Sequence, residues 1–261
     1  MRRFLILLAA MAAGAAAVAL VARQRGAASE ARLERFVRTA IGQPSGPLGR
    51  ITARWMVEDH RPIYPVMAQE LALQPDDDLL DVGCGGAGLL ESQAAHVRYV
   101  AGLDASEIQV DMARRRLAGR LASGTADIVQ GDAAALPWED GRFSAVTAYG
   151  CLEFVPDPLA ALSEMHRVLR PGGRVVVTMG LPTDEAGQSG TKNRLGFPRW
   201  TAADGQRLLE EAGFGSVAVS PPPTRYFVLQ LARGVKPATP PPGMEPGDED
   251  RARSAGGSPS A

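Results

Sequence analysis

Asp81 stands two residues ahead of a glycine-dense turn in the stretch Leu79-Leu80-Asp81-Val82-Gly83-Cys84-Gly85-Gly86-Ala87-Gly88-Leu89-Leu90. A short apolar strand runs into a carboxylate, then a tight turn, then a helix start. Glycine permits the turn and lets a ligand press against bare backbone. The helix start offers unpaired N–H groups and a positive dipole end. Together these outline a nucleotide-cofactor site. Read literally, Gly83-x-Gly85-x-x-Gly88 fits the dinucleotide fingerprint, and Asp104, about 20 residues on, fits its ribose-binding acid. Asp81 weighs the other way. A pyrophosphate gains nothing from a carboxylate at that strand end, whereas a cationic cofactor does. A glycine-rich turn with no ligand is the bland alternative.

Two further segments carry the same message. Gln130-Gly131-Asp132-Ala133-Ala134-Ala135-Leu136-Pro137-Trp138-Glu139-Asp140-Gly141-Arg142-Phe143 sits between the third and fourth expected strands, and Arg167-Val168-Leu169-Arg170-Pro171-Gly172-Gly173 precedes the fifth. With Asp81, Gly83 and Gly85, they resemble the class I S-adenosylmethionine-dependent methyltransferases of the small-molecule, methyltransferase domain 11-like type. Ala87 departs from that pattern, standing where a third glycine usually falls. The resemblance covers roughly residues 50–232 and implies S-adenosyl-L-methionine as cofactor. It also implies a sheet of order 3-2-1-4-5-7-6 with the seventh strand antiparallel.

Under that resemblance Gly83, Cys84, Gly85 and Gly86 let the backbone approach the cofactor, and Asp81 faces its methionine end. Asp104 accepts from both ribose hydroxyls, as two carboxylate oxygens suit a cis-diol. Ala105 packs by the adenine, Asp132 accepts from its N6 amine, and Ala133 offers a backbone N–H. Each acid has a plainer reading as a strand-end turn former or helix cap. Tyr149, after the fourth strand, is placed to touch cofactor or acceptor, with core packing as its alternative. Many relatives carry His where Phe154 stands, which removes one candidate base. His60, just before the sheet, is the candidate catalytic histidine together with Tyr149, its usual pKa suiting proton removal near neutral pH; Tyr64 is its neighbour. His96 and His166 read as structural or exposed, and Asp76-Asp77-Asp78 as a solvated loop. No metal-ligand spacing is present.

The elements that must position these residues alternate as strands and helices, giving an α/β, Rossmann-like, seven-stranded, mostly parallel sheet with helices on both faces and an N-terminal helical extension. Strands are expected at Leu79–Val82, Tyr99–Leu103, Asp127–Gln130, Ser144–Ala148, Arg174–Met179, Ser216–Ser220 and Arg225–Leu231. Helices are expected at Ser29–Ile41, Ile51–Val57, Pro62–Leu73, Ala87–Ala95, Ser106–Ala118 with Ser106 as N-cap, Pro158–Leu169, and one capped by Thr201. The chain divides into an N-terminal transmembrane anchor or signal-like segment (1–25), a helical juxtamembrane and cofactor-capping segment (26–74), the methyltransferase domain (75–236) and a disordered Pro/Gly-rich tail (237–261).

The chain has 261 residues, 45% of them hydrophobic, with net charge −1 and 5% aromatic residues. That balance gives no basic nucleic-acid footprint, and the Asn/Asp-Pro-Pro-aromatic motif of nucleic-acid amine methyltransferases is absent. Cys84 and Cys151 read as reduced thiols of a cytoplasmic compartment. From Phe4 to Ala22 no residue is charged, a run about 28 Å long as a helix, close to a bilayer core. It reads as a membrane anchor, with a cleaved signal or a non-spanning helix as alternatives. The arginines after it put the catalytic domain in the cytoplasm. The expected function is S-adenosylmethionine-dependent methylation of a small or lipid-like acceptor, a quinone ring or a lipid headgroup. The alternatives are a non-catalytic membrane-tethered adaptor with the same fold, and an NAD-dependent oxidoreductase.

Overall fold

A computed structural model describes residues 42–179, 200–221 and 230–238. Helix α1 (Gly46–His60), a 3-10 turn (Arg61–Ile63) and α2 (Tyr64–Glu70) precede the sheet. The chain then alternates through β1 (Asp78–Val82), α3 (Gly88–Gln93), β2 (Tyr99–Asp104), α4 (Glu107–Arg116), α5 (Ala118–Ala122), β3 (Ala126–Gln130), β4 (Phe143–Ala148), α6 (Pro158–Val168), β5 (Leu169–Met179), α7 (Ala202–Glu211), β6 (Gly215–Ser220) and β7 (Gln230–Val235). The strand order is β3-β2-β1-β4-β5-β7-β6, as expected. Strands β1 to β5 pair in parallel, and β7 is antiparallel to both β5 and β6.

Burial follows from this order. Every residue of β1 and β4 is buried, which suits central parallel strands covered on both faces. Successive side chains point to opposite faces. Leu80 and Val82 therefore join Phe143, Leu162 and Met165 in one core layer, while Leu79 joins Met67, Leu90 and Val176 in the other. Edge strand β6 alternates exposed and half-buried residues over much of its length.

Several expectations shift. The helix expected over Ser106–Ala118 is two helices, α4 and α5, broken at Leu117. Ser106 is the N-cap of α4, yet its hydroxyl makes no cap bond; it donates to the Pro44 carbonyl at 3.0 Å, tying the segment ahead of α1 to the sheet. Thr201 does cap α7, in a reciprocal capping box with Asp204. The final strand is described over Gln230–Val235 and runs on past the expected end at Leu231; residues 225–229 of the expected span lie outside the described residues.

Of the Asp76–Asp78 run only Asp76 is exposed. Asp77 and Asp78 are buried. Asp77 accepts from Arg174 and from the Ser144 hydroxyl, and Asp78 accepts from Arg98 and Arg142. Burial works to raise both carboxyls, but the arginine bonds prevail and hold them below the usual carboxylate range. The partners lie far along the chain, so the local sequence pattern hid them.

The expected membrane anchoring, with a cytoplasmic catalytic domain, is corrected. Among the described residues no helix is long and apolar enough to cross a membrane. The helices expected over 4–22 and 29–41, and most of the tail, lie outside the described residues.

Candidate active site

The carboxyl ends of β1, β2, β3 and β4 open into one cavity of about 1280 Å³. That exceeds the roughly 300–1,000 Å³ of an ordinary small-molecule pocket, leaving room for a cofactor and a second molecule. All the site residues anticipated above line it: His60, Asp81, Gly83, Cys84, Gly85, Gly86, Asp104, Ala105, Asp132, Ala133 and Tyr149. This is the position where open α/β sheets bind ligands.

The turn after β1 is fixed by backbone bonds. The Gly83 and Cys84 N–H groups both donate to the Leu103 carbonyl, at 2.7 and 3.0 Å. Gly83 and Gly85 have φ of +74° and +52°, a region that side chains other than glycine enter at a cost. A Cβ on Gly83 would also lie 2.7 Å from the Cys151 Sγ. Ala87, in the place of the third glycine, adopts φ +59° as well. Its methyl group is fully buried in the core, and that burial offsets part of the strain.

Asp104 is anchored at both oxygens. Gly85 N–H donates to Oδ2 at 2.9 Å, and Ser106 N–H donates to Oδ1 at 2.8 Å. Each oxygen keeps a second lone pair for a ligand hydroxyl. Burial raises the Asp104 carboxyl while these two bonds lower it, and burial wins. Asp81 is only 4% exposed, and its Oδ1 has no hydrogen-bond partner among the described residues. Burial, then the neighbouring Asp104, push its pKa up to about 8. A buried carboxyl left without a donor costs free energy. The turn thus leaves hydrogen-bonding capacity on Asp81 and Asp104 that the described residues do not use. Asp132 is exposed, and its Oδ1 accepts from Ala134 N–H at 3.0 Å. That turn carries it and Ala133 to the cavity's edge.

The far end of the cavity is different. His60 and Tyr149 meet edge to face, with ring centroids 4.8 Å apart. Burial lowers the His60 imidazole to about 4. Burial, and then Glu153, raise the Tyr149 phenol well above its ordinary value. Both side chains are therefore neutral near pH 7. Tyr64, which donates to the Val57 carbonyl at 2.9 Å, holds α1 over the glycine turn. Phe154 and Trp200 add apolar surface at this end, and among the described lining residues none is lysine or arginine.

The sequence pattern had not marked Gln109. Gln109 is 3% exposed and lines the cavity. Its signal was present, since it shares a helical stripe with the buried Ala113 and Leu117, where a polar residue needs a reason. Trp200 also lines the cavity, and Gln230 of β7 donates to its carbonyl at 2.8 Å.

Comparison with known proteins points to the same fold. Residues 80–177 match the family described as a methyltransferase domain. A demethylmenaquinone methyltransferase of Staphylococcus saprophyticus is 34% identical over 135 residues, 51% of this chain and 57% of the relative. Among solved structures, the cyclase SpnF has a TM-score of 0.60 at 24% identity, covering 69% of this chain and 82% of its own. Haemonchus contortus phosphoethanolamine N-methyltransferase 2, in complex with S-adenosyl-L-methionine, has a TM-score of 0.63 at 15% identity, covering 76% and 59%. The chain spans between 31% and 59% of the length of the curated relatives it matches. The structural likenesses establish a shared fold; SpnF, named a cyclase, shows that this fold alone does not fix the reaction.

Proposed function

We propose that this chain, which carries a methyltransferase domain of the class I fold, transfers a methyl group from S-adenosylmethionine to a small, uncharged, largely apolar acceptor. The observation that carries this reading is Asp81. Its buried carboxyl lines the cavity beside the glycine turn and has one oxygen without a hydrogen-bond partner among the described residues, which favours a cationic ligand and disfavours a pyrophosphate. That weighs against the NAD-dependent alternative, and nothing supports a non-catalytic adaptor.

S-adenosylmethionine supplies a methyl group already activated on a sulfonium, open to in-line displacement by the acceptor. The chain's work is to bind, align and keep out water. Asp81 faces the cationic methionine end and Asp104 the ribose hydroxyls. Asp132, with the Ala133 N–H, reaches the adenine, and Gly83, Cys84, Gly85, Gly86 and Ala105 give it backbone and small side chains to rest on. His60 and Tyr149 form an uncharged wall that excludes water and steers the acceptor. With its imidazole near 4, His60 is a weak base, so alignment carries most of the acceleration. Alignment alone is worth roughly 7–11 kcal/mol.

The finer choice of acceptor follows from charge. The described lining holds four acidic side chains, Asp81, Asp104, Asp132 and Glu153, and no lysine or arginine. A phosphate-bearing acceptor would find no basic partner among them. A neutral quinone ring, the kind of acceptor named for the staphylococcal relative, fits better than a phosphorylated headgroup. The test has two steps. Calorimetry should detect binding of S-adenosylmethionine and its demethylated product. Labelled methyl should then enter a demethylated quinol but not phosphoethanolamine. Absence of cofactor binding refutes the whole reading; methylation of phosphoethanolamine refutes the acceptor choice.

A further inference from the structure

Trp200 stands immediately ahead of Thr201, the N-cap of α7. It is half-buried, packs against the core layer that holds Met179 and Leu209, and lines the cavity together with Phe154. Both polar groups of the Trp200–Thr201 peptide are held by side chains. The Trp200 carbonyl accepts from Gln230 Nε2 at 2.8 Å, and the Thr201 N–H donates to Asp204 Oδ2 at 2.8 Å. These two side chains come from different elements, β7 and α7. Gln230 is itself fixed by pairing with Met179 across β5 and β7. The start of α7 is seated on the same strand end, where a Cβ on Gly205 would lie 3.1 Å from the Met179 Sδ.

A hydrophobic residue just ahead of an N-cap ordinarily packs against the side chain at the fourth helical position and so fixes how the chain enters the helix. In α7 that position is Gly205, which has no side chain. Gln230 and Asp204 set the entry instead, so the indole is not needed for it. Gln230 points the same way. It is 7% exposed, and the next residues of its strand, Leu231 and Ala232, are fully buried. An apolar residue would fill its place but would take the donor from the Trp200 carbonyl. A rigid indole on a fixed backbone loses little freedom when a ligand binds. It favours a flat ring, which can stack across its face, over a flexible chain, which gains only from the area it covers.

We propose that the Trp200 indole is the plate that selects a flat, uncharged ring as methyl acceptor over an acyclic chain, and that Gln230 is the positioning residue that holds it at the cavity. This rests on the acceptor reading above and narrows it to a ring. The plate is separate from the glycine turn and the strand-end acids, so its loss changes the choice of acceptor and leaves donor binding in place.

The experiment uses the full chain, as wild type, Trp200→Leu, Trp200→Phe, Gln230→Met and the double variant Trp200→Leu with Gln230→Met. Each is first loaded with S-adenosylhomocysteine, whose affinity by calorimetry should stay within about twofold of wild type. The loaded chains are then titrated with dimethylnaphthoquinone, blocked at both reactive ring carbons, and with geraniol, an acyclic apolar alcohol. Wild type should bind the ring and lose tryptophan emission as it does so. Trp200→Leu should lower the ring-over-chain affinity ratio about 3- to 10-fold, as expected for one ring–ring contact. Trp200→Phe should restore most of the ratio while losing most of the quenching. Gln230→Met should lower the ratio about twofold and add nothing in the double variant, because it acts through Trp200. A merely structural role would lower the melting temperature and leave the ratio alone. An unchanged ratio in Trp200→Leu, or full quenching in Trp200→Phe, overturns the plate; additive losses in the double variant overturn the positioning by Gln230. A wild type that binds S-adenosylhomocysteine but not the ring overturns the acceptor reading, and one that binds neither overturns the cofactor reading.

Discussion

Cofactor binding should expel a proton from Asp81. The free carboxyl is buried, close to Asp104, and titrates at about 8. Asp104 is supported by two backbone N–H donors, so in this coupled pair Asp81 carries the later, higher step. At pH 7 about nine-tenths of the free protein then holds the Asp81 proton. A cation settling beside Asp81 favours the ionised form, so the proton must leave. Apparent affinity should rise about tenfold between pH 6 and 7, and about 50-fold between pH 6 and 8, before flattening. Calorimetry of S-adenosylmethionine binding at pH 7, in buffers of different ionisation enthalpy, should count about 0.9 proton released. Asp81→Asn retains the ligand's own titration and loses this extra slope. The same proton sets the sign for stability. Between pH 6.5 and 8 the folded state keeps a proton that an unfolded Asp has already lost, so the ligand-free chain loses stability as pH rises, and Asp81→Asn flattens the fall. Binding without proton release, with the same pH slope in wild type and Asp81→Asn, would refute the electrostatic argument.

Other outcomes follow from the same geometry. Asp104→Ala removes an acceptor from two backbone N–H groups and from the ribose; cofactor affinity measured by calorimetry should fall about 100-fold. Gly85→Ala meets strained backbone but only ordinary van der Waals contact with the Gln109 amide, and should cost about 1–2 kcal/mol in urea unfolding. Gly83→Ala adds the clash with Cys151 and should cost distinctly more; equal losses would contradict the packing of β1 against the turn after β4. Arg174→Ala strands the buried Asp77 carboxylate and should cost about 3–5 kcal/mol. Because that pairing depresses the Asp77 carboxyl, its stabilisation is present above the unfolded pKa and is lost as pH falls below it. The gap between wild type and variant should therefore narrow in acid unfolding curves.

The parts of the site written locally were legible in the residues alone. Asp81, Asp104 and Asp132 each follow a recognisable apolar strand, and the turn glycines sit within six residues of one another. Strand order came through family likeness rather than pattern. What stayed hidden depends on contacts between distant segments. His60 meets Tyr149 only once α1 folds over the sheet. The Asp77 and Asp78 carboxylates looked solvated because Arg174, Arg98 and Arg142 are brought to them by β5, β2 and the approach to β4. The last strand runs past its expected end at Leu231 because Ala232 and Gly234 give little period-two signal, and its register comes from pairing with β5.

The aromatic wall is assembled from three parts of the chain, with Tyr149 and Phe154 inside the matched stretch 80–177 and two residues outside it. His60 comes from α1, ahead of the matched stretch 80–177, and Trp200 comes after it, held by Gln230 of the terminal hairpin. The donor-binding ledge, by contrast, lies wholly within that stretch. On the proposed function, acceptor recognition draws on both sides of that boundary, so substitutions at His60 or Trp200 would retune part of the wall while the ledge is left intact, and redesign for a new acceptor has a natural place to begin.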